Sequence, residues 1–159
     1  MKPFHQVAVP HKDILEGKFT MDVYAAKLWD VLKNRGPDEY RDADTFFKRT
    51  YQTKNFLRIL DDVKKRLEGD LKIDAFKHIE TPFGGGKTHT LIALYHKSKE
   101  WNVKPVVLIG NEMDPTNETM WGLIEKQLEG KIKILSGNVS RGGEKLYEVL
   151  KKHQPVLIL

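Results

Sequence analysis

Two short runs constrain the fold of this chain most: Pro105-Val106-Val107-Leu108-Ile109 and Pro155-Val156-Leu157-Ile158-Leu159. Each is a continuous apolar stretch introduced by proline, as expected of a strand covered on both faces. The residues between them read as helix. Asn117 to Glu129 turns Met120, Trp121, Ile124 and Leu128 inward and stops at Gly130, and Glu144 to Lys152 does the same with Leu146, Val149 and Leu150. Strands alternating with helices imply right-handed crossovers, and so an α/β fold: a parallel sheet with flanking helices. Ile132 and Ile134 read as a further short strand, and Ser136 to Gly143, with Arg141, as a loop.

The first seventy residues have a different character. Met1 to Gly17 is irregular. Thr20 caps a helix running to about Lys33, with Val23, Tyr24, Leu28, Trp29, Val31 and Leu32 on a broad apolar face, and Asn34-Arg35-Gly36-Pro37 ends it. Asp42 or Asp44 starts a short helix through Phe46 and Phe47. Thr53 caps a longer one in which Phe56, Leu57, Ile59, Leu60, Val63 and Leu67 recur at helical spacing, closed by Gly69. The expected organisation is a helical N-terminal segment, 1–70, followed by α/β structure over 71–159.

Where these parts meet stands Thr81-Pro82-Phe83-Gly84-Gly85-Gly86-Lys87-Thr88. It follows a β-like run, Ala75 to Glu80, and precedes the apolar Leu91-Ile92-Ala93-Leu94-Tyr95. Strand, glycine-rich loop and helix in that order are the context of a P-loop. Glycines let backbone N–H groups wrap an anion, and the positive end of the helix adds fixed attraction. Pro82, Phe83, Gly84, Gly85 and Gly86 are the expected cradle for ATP. Lys87 reaches the β- and γ-phosphates as the catalytic cation, and the Thr88 hydroxyl sits on Mg²⁺. The usual pattern asks for glycine at the place of Thr81. The alternative is an ordinary strand-to-helix turn whose lysine is merely solvated. Ligands of such sheets bind beyond the C-terminal strand ends, where Gly110, Asn111 and Glu112 also fall. Arg49 to Thr53 either line the base pocket or belong to a helical subdomain packed on the sheet edge.

Composition excludes several classes. The chain has 159 residues, 40% hydrophobic and 31% charged, with no cysteine and hence no disulfide framework or thiolate metal site. No run approaches membrane-spanning length and no signal peptide is visible, which gives a cytoplasmic expectation. The net charge of +5 leaves nucleic acid open as a partner. Lys97, Lys99, Lys104, Lys151 and Lys152 are the basic surface for it. Leu159 ends an apolar strand of the kind that precedes the Walker B acid in P-loop ATPases. The expectation is therefore an N-terminal fragment, incomplete at the Walker B strand, that binds nucleotide but hydrolyses it poorly.

The words Thr81 to His96, Pro10 to Phe19, Gly36 to Asp42, Phe46 to Thr53, Thr119 to Gly122 and Pro155 to Leu159 resemble the domain-of-unknown-function family 499. That family is described as predicted ATPases of the AAA+ superfamily. The resemblance implies a P-loop NTPase domain of AAA+ type in a large cytoplasmic protein, with Gly84 to Thr88 as the nucleotide site. His89 belongs to the same word, as part of the nucleotide site or as a polar residue packed beside the loop. The family's association with DNA methyltransferases and helicases implies a part in DNA modification or defence, with DNA or DNA-modifying proteins as partners and assembly into oligomers. The competing readings are a nucleotide-responsive DNA-associated module and a scaffold without turnover.

Overall fold

The computed structural model describes residues 3–10, 12–17, 26–136 and 143–159. Two one-turn helices, α1 (Phe4–Val7) and α2 (Lys12–Leu15), occupy the stretch expected to be irregular. The helix expected from Thr20 does not run through: α3 (Leu28–Leu32) begins only after Lys27, whose backbone is extended, and Thr20, Val23 and Tyr24 lie outside the described residues. Asn34 (φ 56°) and Gly36 (φ 83°) turn the chain out of α3. Next come α4 (Asp38–Arg41) and α5 (Ala43–Arg49), then α6 (Lys54–Leu67). Asp42 caps α5 through the Thr45 N–H at 2.8 Å, and Thr53 caps α6 through the Phe56 N–H at 3.2 Å. Gly69, at φ 104°, closes α6, while Asp70 N donates to Lys65 O at 3.0 Å.

The longest run of burial belongs to α7 (Lys87–Glu100), in which Thr90 and Ile92 to His96 are all shielded from solvent. Its end shows why the chain turns there. Asn102 adopts φ 56°, and Val103 N reaches back to Ser98 O at 2.8 Å. Strand β1 (Lys104–Val106), a 3₁₀ turn at Gly110–Glu112, α8 (Met120–Glu129), α9 (Gly143–Lys152) and β2 (Val156–Ile158) complete the order.

The strands pair in parallel, with Lys104 opposite Val156 and Val106 opposite Ile158. Hydrogen bonds from Leu159 N to Val106 O and from Leu108 N to Leu159 O extend the pairing at 2.8 Å each. Side chains then alternate between two cores. Val107, Ile109, Leu157 and Leu159 face the cluster built by α3, α5, α6 and α7, while Val106, Leu108 and Val156 face the cluster of α8 and α9. Helices on both faces of a parallel sheet agree with the α/β reading. Just past the end of β1 the backbone is met by a side chain: the Gln127 amide accepts from Val107 N at 3.0 Å and donates to Val107 O at 2.8 Å.

Several expectations are corrected. Ala75 to Glu80 is not a strand. Its backbone finds no neighbouring strand among the described residues, Phe76 is 80% exposed, and Lys77 is tied to Asp62 of α6 at 3.2 Å. Ile132 and Ile134 do not pair either. That stretch is a turn held by the Glu125 carboxylate, which accepts from Ile134 N at 2.9 Å and Leu135 N at 2.8 Å. Met120 faces out, because α8 starts at Met120 behind the Thr119 cap rather than at Asn117, which puts Met120 in the first, exposed turn. The loop expected over Ser136 to Gly143 lies, from 137 to 142, outside the described residues, and Gly143 opens α9. No helix among the described residues is long and apolar enough to cross a membrane.

Candidate functional site

The glycine-rich loop is seated by the helix behind it. Ile92, Ala93 and Leu94 anchor α7 in the core, so its first turn and the loop are carried on a rigid element while residues 82–88 stay exposed. Gly84 and Gly86 adopt φ 77° and 80°, where a side chain is strained, and open space surrounds both. Gly85 is required for a different reason. A Cβ there would lie 2.4 Å from Thr81 Oγ1 and 2.5 Å from Thr81 Cβ. Its N–H donates to Pro82 O at 3.1 Å and closes the bend.

Lys87 folds back over this bend. Its ammonium donates to Thr81 O at 2.8 Å, Thr81 Oγ1 at 3.1 Å and Pro82 O at 3.2 Å. Gly86, the residue before α7, has no side chain with which to cap the helix. Among the described residues the N–H groups of Lys87, Thr88 and His89 have no acceptor outside the helix, and the first bond of α7 is Thr90 N to Gly86 O at 2.9 Å. Three free donors, a helix N-terminus and an ammonium make a donor set that suits a phosphate. The Thr88 hydroxyl is exposed and has no partner among the described residues, which fits a hydroxyl free to meet Mg²⁺. Pro82 and Phe83 are exposed, Phe83 fully so.

His89 is placed differently from the rest. Its ring packs against Phe46 at 4.5 Å between centroids, with Tyr40 at 6.3 Å and Phe56 at 6.4 Å. Burial holds its pKa below the usual 6.5. Its Nε2 meets Thr50 Oγ1 at 2.9 Å, and Thr50 Oγ1 donates its one proton to Phe46 O at 2.6 Å. His89 Nε2 is therefore the donor of that pair. The contact brings Thr50, from the stretch Arg49 to Thr53, against the first turn of α7. Arg49 itself is paired with Glu39 at 3.0 Å.

The aromatic setting of His89 escapes a sequence reading, since Tyr40, Phe46 and Phe56 lie on three other helices. So does a depression of 740 Å³ at the opposite end of α7, lined by Arg41, Asp44, Phe47, Leu60, Lys97 and Lys99 among others. It contains none of the loop residues, and its chemistry is mixed. Among the described residues no group of three or more histidine, cysteine or carboxylate side chains is arranged to hold a metal ion.

The chain matches no curated protein and no solved structure. Residues 3–140 match the family described as the DUF499 N-terminal domain. That span takes in the helical segment, the loop, α7, β1 and α8, and the chain belongs to the DUF499 N-terminal domain family.

Proposed function

We propose that this chain binds Mg²⁺·ATP at the loop Pro82 to His89, as the nucleotide-binding part of a P-loop ATPase of AAA+ type. The observation that carries the reading is the uncapped first turn of α7. Asp42, Thr53 and Thr119 each satisfy an N–H at the start of their own helix. The start of α7 instead has two left-handed glycines and a lysine. Donors left without a protein acceptor at a positive helix end favour an anionic ligand.

In this reading the N–H groups of Lys87, Thr88 and His89 bind phosphate oxygens, and Lys87 exchanges one of its loop acceptors for a phosphate oxygen. Thr88 holds the metal, which neutralises charge on the phosphates when bound. The His89 ring, locked against Phe46 and Thr50, orients the first turn, and only its backbone N–H meets the ligand. Thr50 is carried beside that turn by its contact with His89, which supports the stretch Arg49 to Thr53 as the lining of a base pocket. The five lysines that offered a basic surface have partners of their own. Lys97 and Lys152 pair with Glu100 and Glu129, Lys99 and Lys151 lie over Tyr95 and Tyr147, and Lys104 bonds Leu128 O and His153. Nothing in that arrangement favours the DNA-associated reading.

The test is isothermal titration of the 159-residue chain with Mg²⁺·ATP, beside Lys87→Ala and Thr88→Ala. Saturable binding is expected, lost in Lys87→Ala and made metal-independent in Thr88→Ala. Unchanged affinity in Lys87→Ala would defeat the proposal.

A further inference from the structure

Thr81 stands where a phosphate loop ordinarily carries glycine, and its side chain is engaged. Main chain and side chain together supply two of the three oxygens that hold the Lys87 ammonium. An ammonium has three protons, so all of them are committed here to Thr81 and Pro82. The Thr81 hydroxyl sends its own proton to Pro82 O at 3.2 Å, which leaves its lone pairs to accept from Lys87. The same side chain fills the space that a Cβ at residue 85 would enter. A threonine at 81 and a glycine at 85 are thus a matched pair, and a glycine at 81 would supply neither the oxygen nor the filling.

We propose that Thr81 is a positioning residue that parks the Lys87 ammonium on the loop and so lowers the affinity of the site for a triphosphate. The inference rests on the reading of the loop as a triphosphate site. Two backbone carbonyls hold the ammonium whatever side chain follows them; the hydroxyl is what this sequence adds. To bond a phosphate oxygen, Lys87 withdraws one proton from an oxygen that already accepts it. A phosphate is an anionic acceptor and wins that exchange, so the hydroxyl tunes binding without blocking it. Because the exchange happens at the phosphate tail, its effect is the same for a bare triphosphate as for a nucleotide.

The experiment is calorimetric titration of the 159-residue chain and of Thr81→Val, Thr81→Ala, Thr81→Ser and Lys87→Ala, with inorganic tripolyphosphate and with Mg²⁺·ATP. Circular dichroism melts accompany each variant. Thr81→Val keeps the branched shape and drops the acceptor, and is expected to bind both ligands about fivefold more tightly, the effect of removing one competing hydrogen bond from an exposed ammonium. Thr81→Ser restores the acceptor and is expected to match the parent chain. Should Thr81→Val fail to fold, Thr81→Ala against Thr81→Ser makes the same comparison. Unchanged or weaker binding by the hydroxyl-free variants, or a change confined to ATP, overturns the role given to Thr81 and leaves the site itself standing. No binding of either ligand by the parent chain overturns the reading of the loop.

Discussion

Glu125 shows how much one side chain organises in this molecule. It has no exposed surface, yet it keeps its charge. Burial alone would raise its pKa, but the backbone N–H groups of Leu135, Ile134 and Lys133 outweigh that and hold it below the ordinary 4.5. An anion nest of this kind is what we propose the loop before α7 offers to a phosphate; here the protein fills one with its own carboxylate. Because the folded pKa is depressed, the stabilisation is complete above the unfolded value near 4.5 and is lost as pH falls through the folded pKa. Glu125→Gln keeps the shape and removes the charge, and is expected to cost about 1–3 kcal/mol at pH 7. Its urea midpoint should also fall less steeply than the parent's as the pH is lowered below 4.5. Parallel acid profiles for the two proteins would show that the nest does not hold a charged carboxylate.

Among the elements, α7 ties the helical segment to the loop, and two histidines do the tying. His89 reaches Thr50 and the Phe46 ring, and His96, seven residues on, reaches Tyr40 O at 2.7 Å while packing beside Phe46 at 5.4 Å. Burial is the first cause that lowers both pKa values below 6.5, which favours the neutral form of both rings in the folded chain. A depressed pKa favours the fold above the unfolded value of 6.5, and that contribution disappears as pH falls through the folded values. Proton NMR titration is expected to place both C2–H midpoints below 6.5, with α7 loosening from α5 as the pH falls through them. A midpoint at or above 6.5 for either ring would contradict this packing. The same scale explains what was legible in the sequence. Asp42, Thr53, Gly69 and Gly130 act on neighbours a few residues away, so their roles as caps and stops could be read directly. The expected strand at Ala75 to Glu80 could not be judged that way, because a strand exists only with a partner and its neighbour in space is α6. Gln127 closing β1 and Glu125 holding residues 133–135 join positions that no periodicity connects. Of the loop, Gly84 to Thr88 was legible as a motif, whereas the grip of Thr81 on Lys87 and the burial of His89 depend on geometry.

At the scale of the whole molecule, a sheet of two short strands separates two hydrophobic cores, and both cores depend on it. Adjacent residues of one chain segment serve opposite sides: Val106 is fully buried among Ile124, Leu128, Leu135 and Val149, and Val107 among the residues of α3, α6 and α7. Neither helical layer keeps its floor if the strands separate, so the layers are expected to unfold as one unit. Val106→Ala and Val107→Ala each remove buried methyl groups and leave a small cavity, for an expected cost of about 2 kcal/mol apiece. The two variants damage different cores, yet both should lower the same transition. Hydrogen exchange followed by mass spectrometry provides the local readout: in either variant, protection should fall together in α7 and in α8. If Val106→Ala loosens α8 and α9 while α7 keeps its full protection, the layers are separate units. The sheet would then be a hinge between them rather than the shared support of the loop.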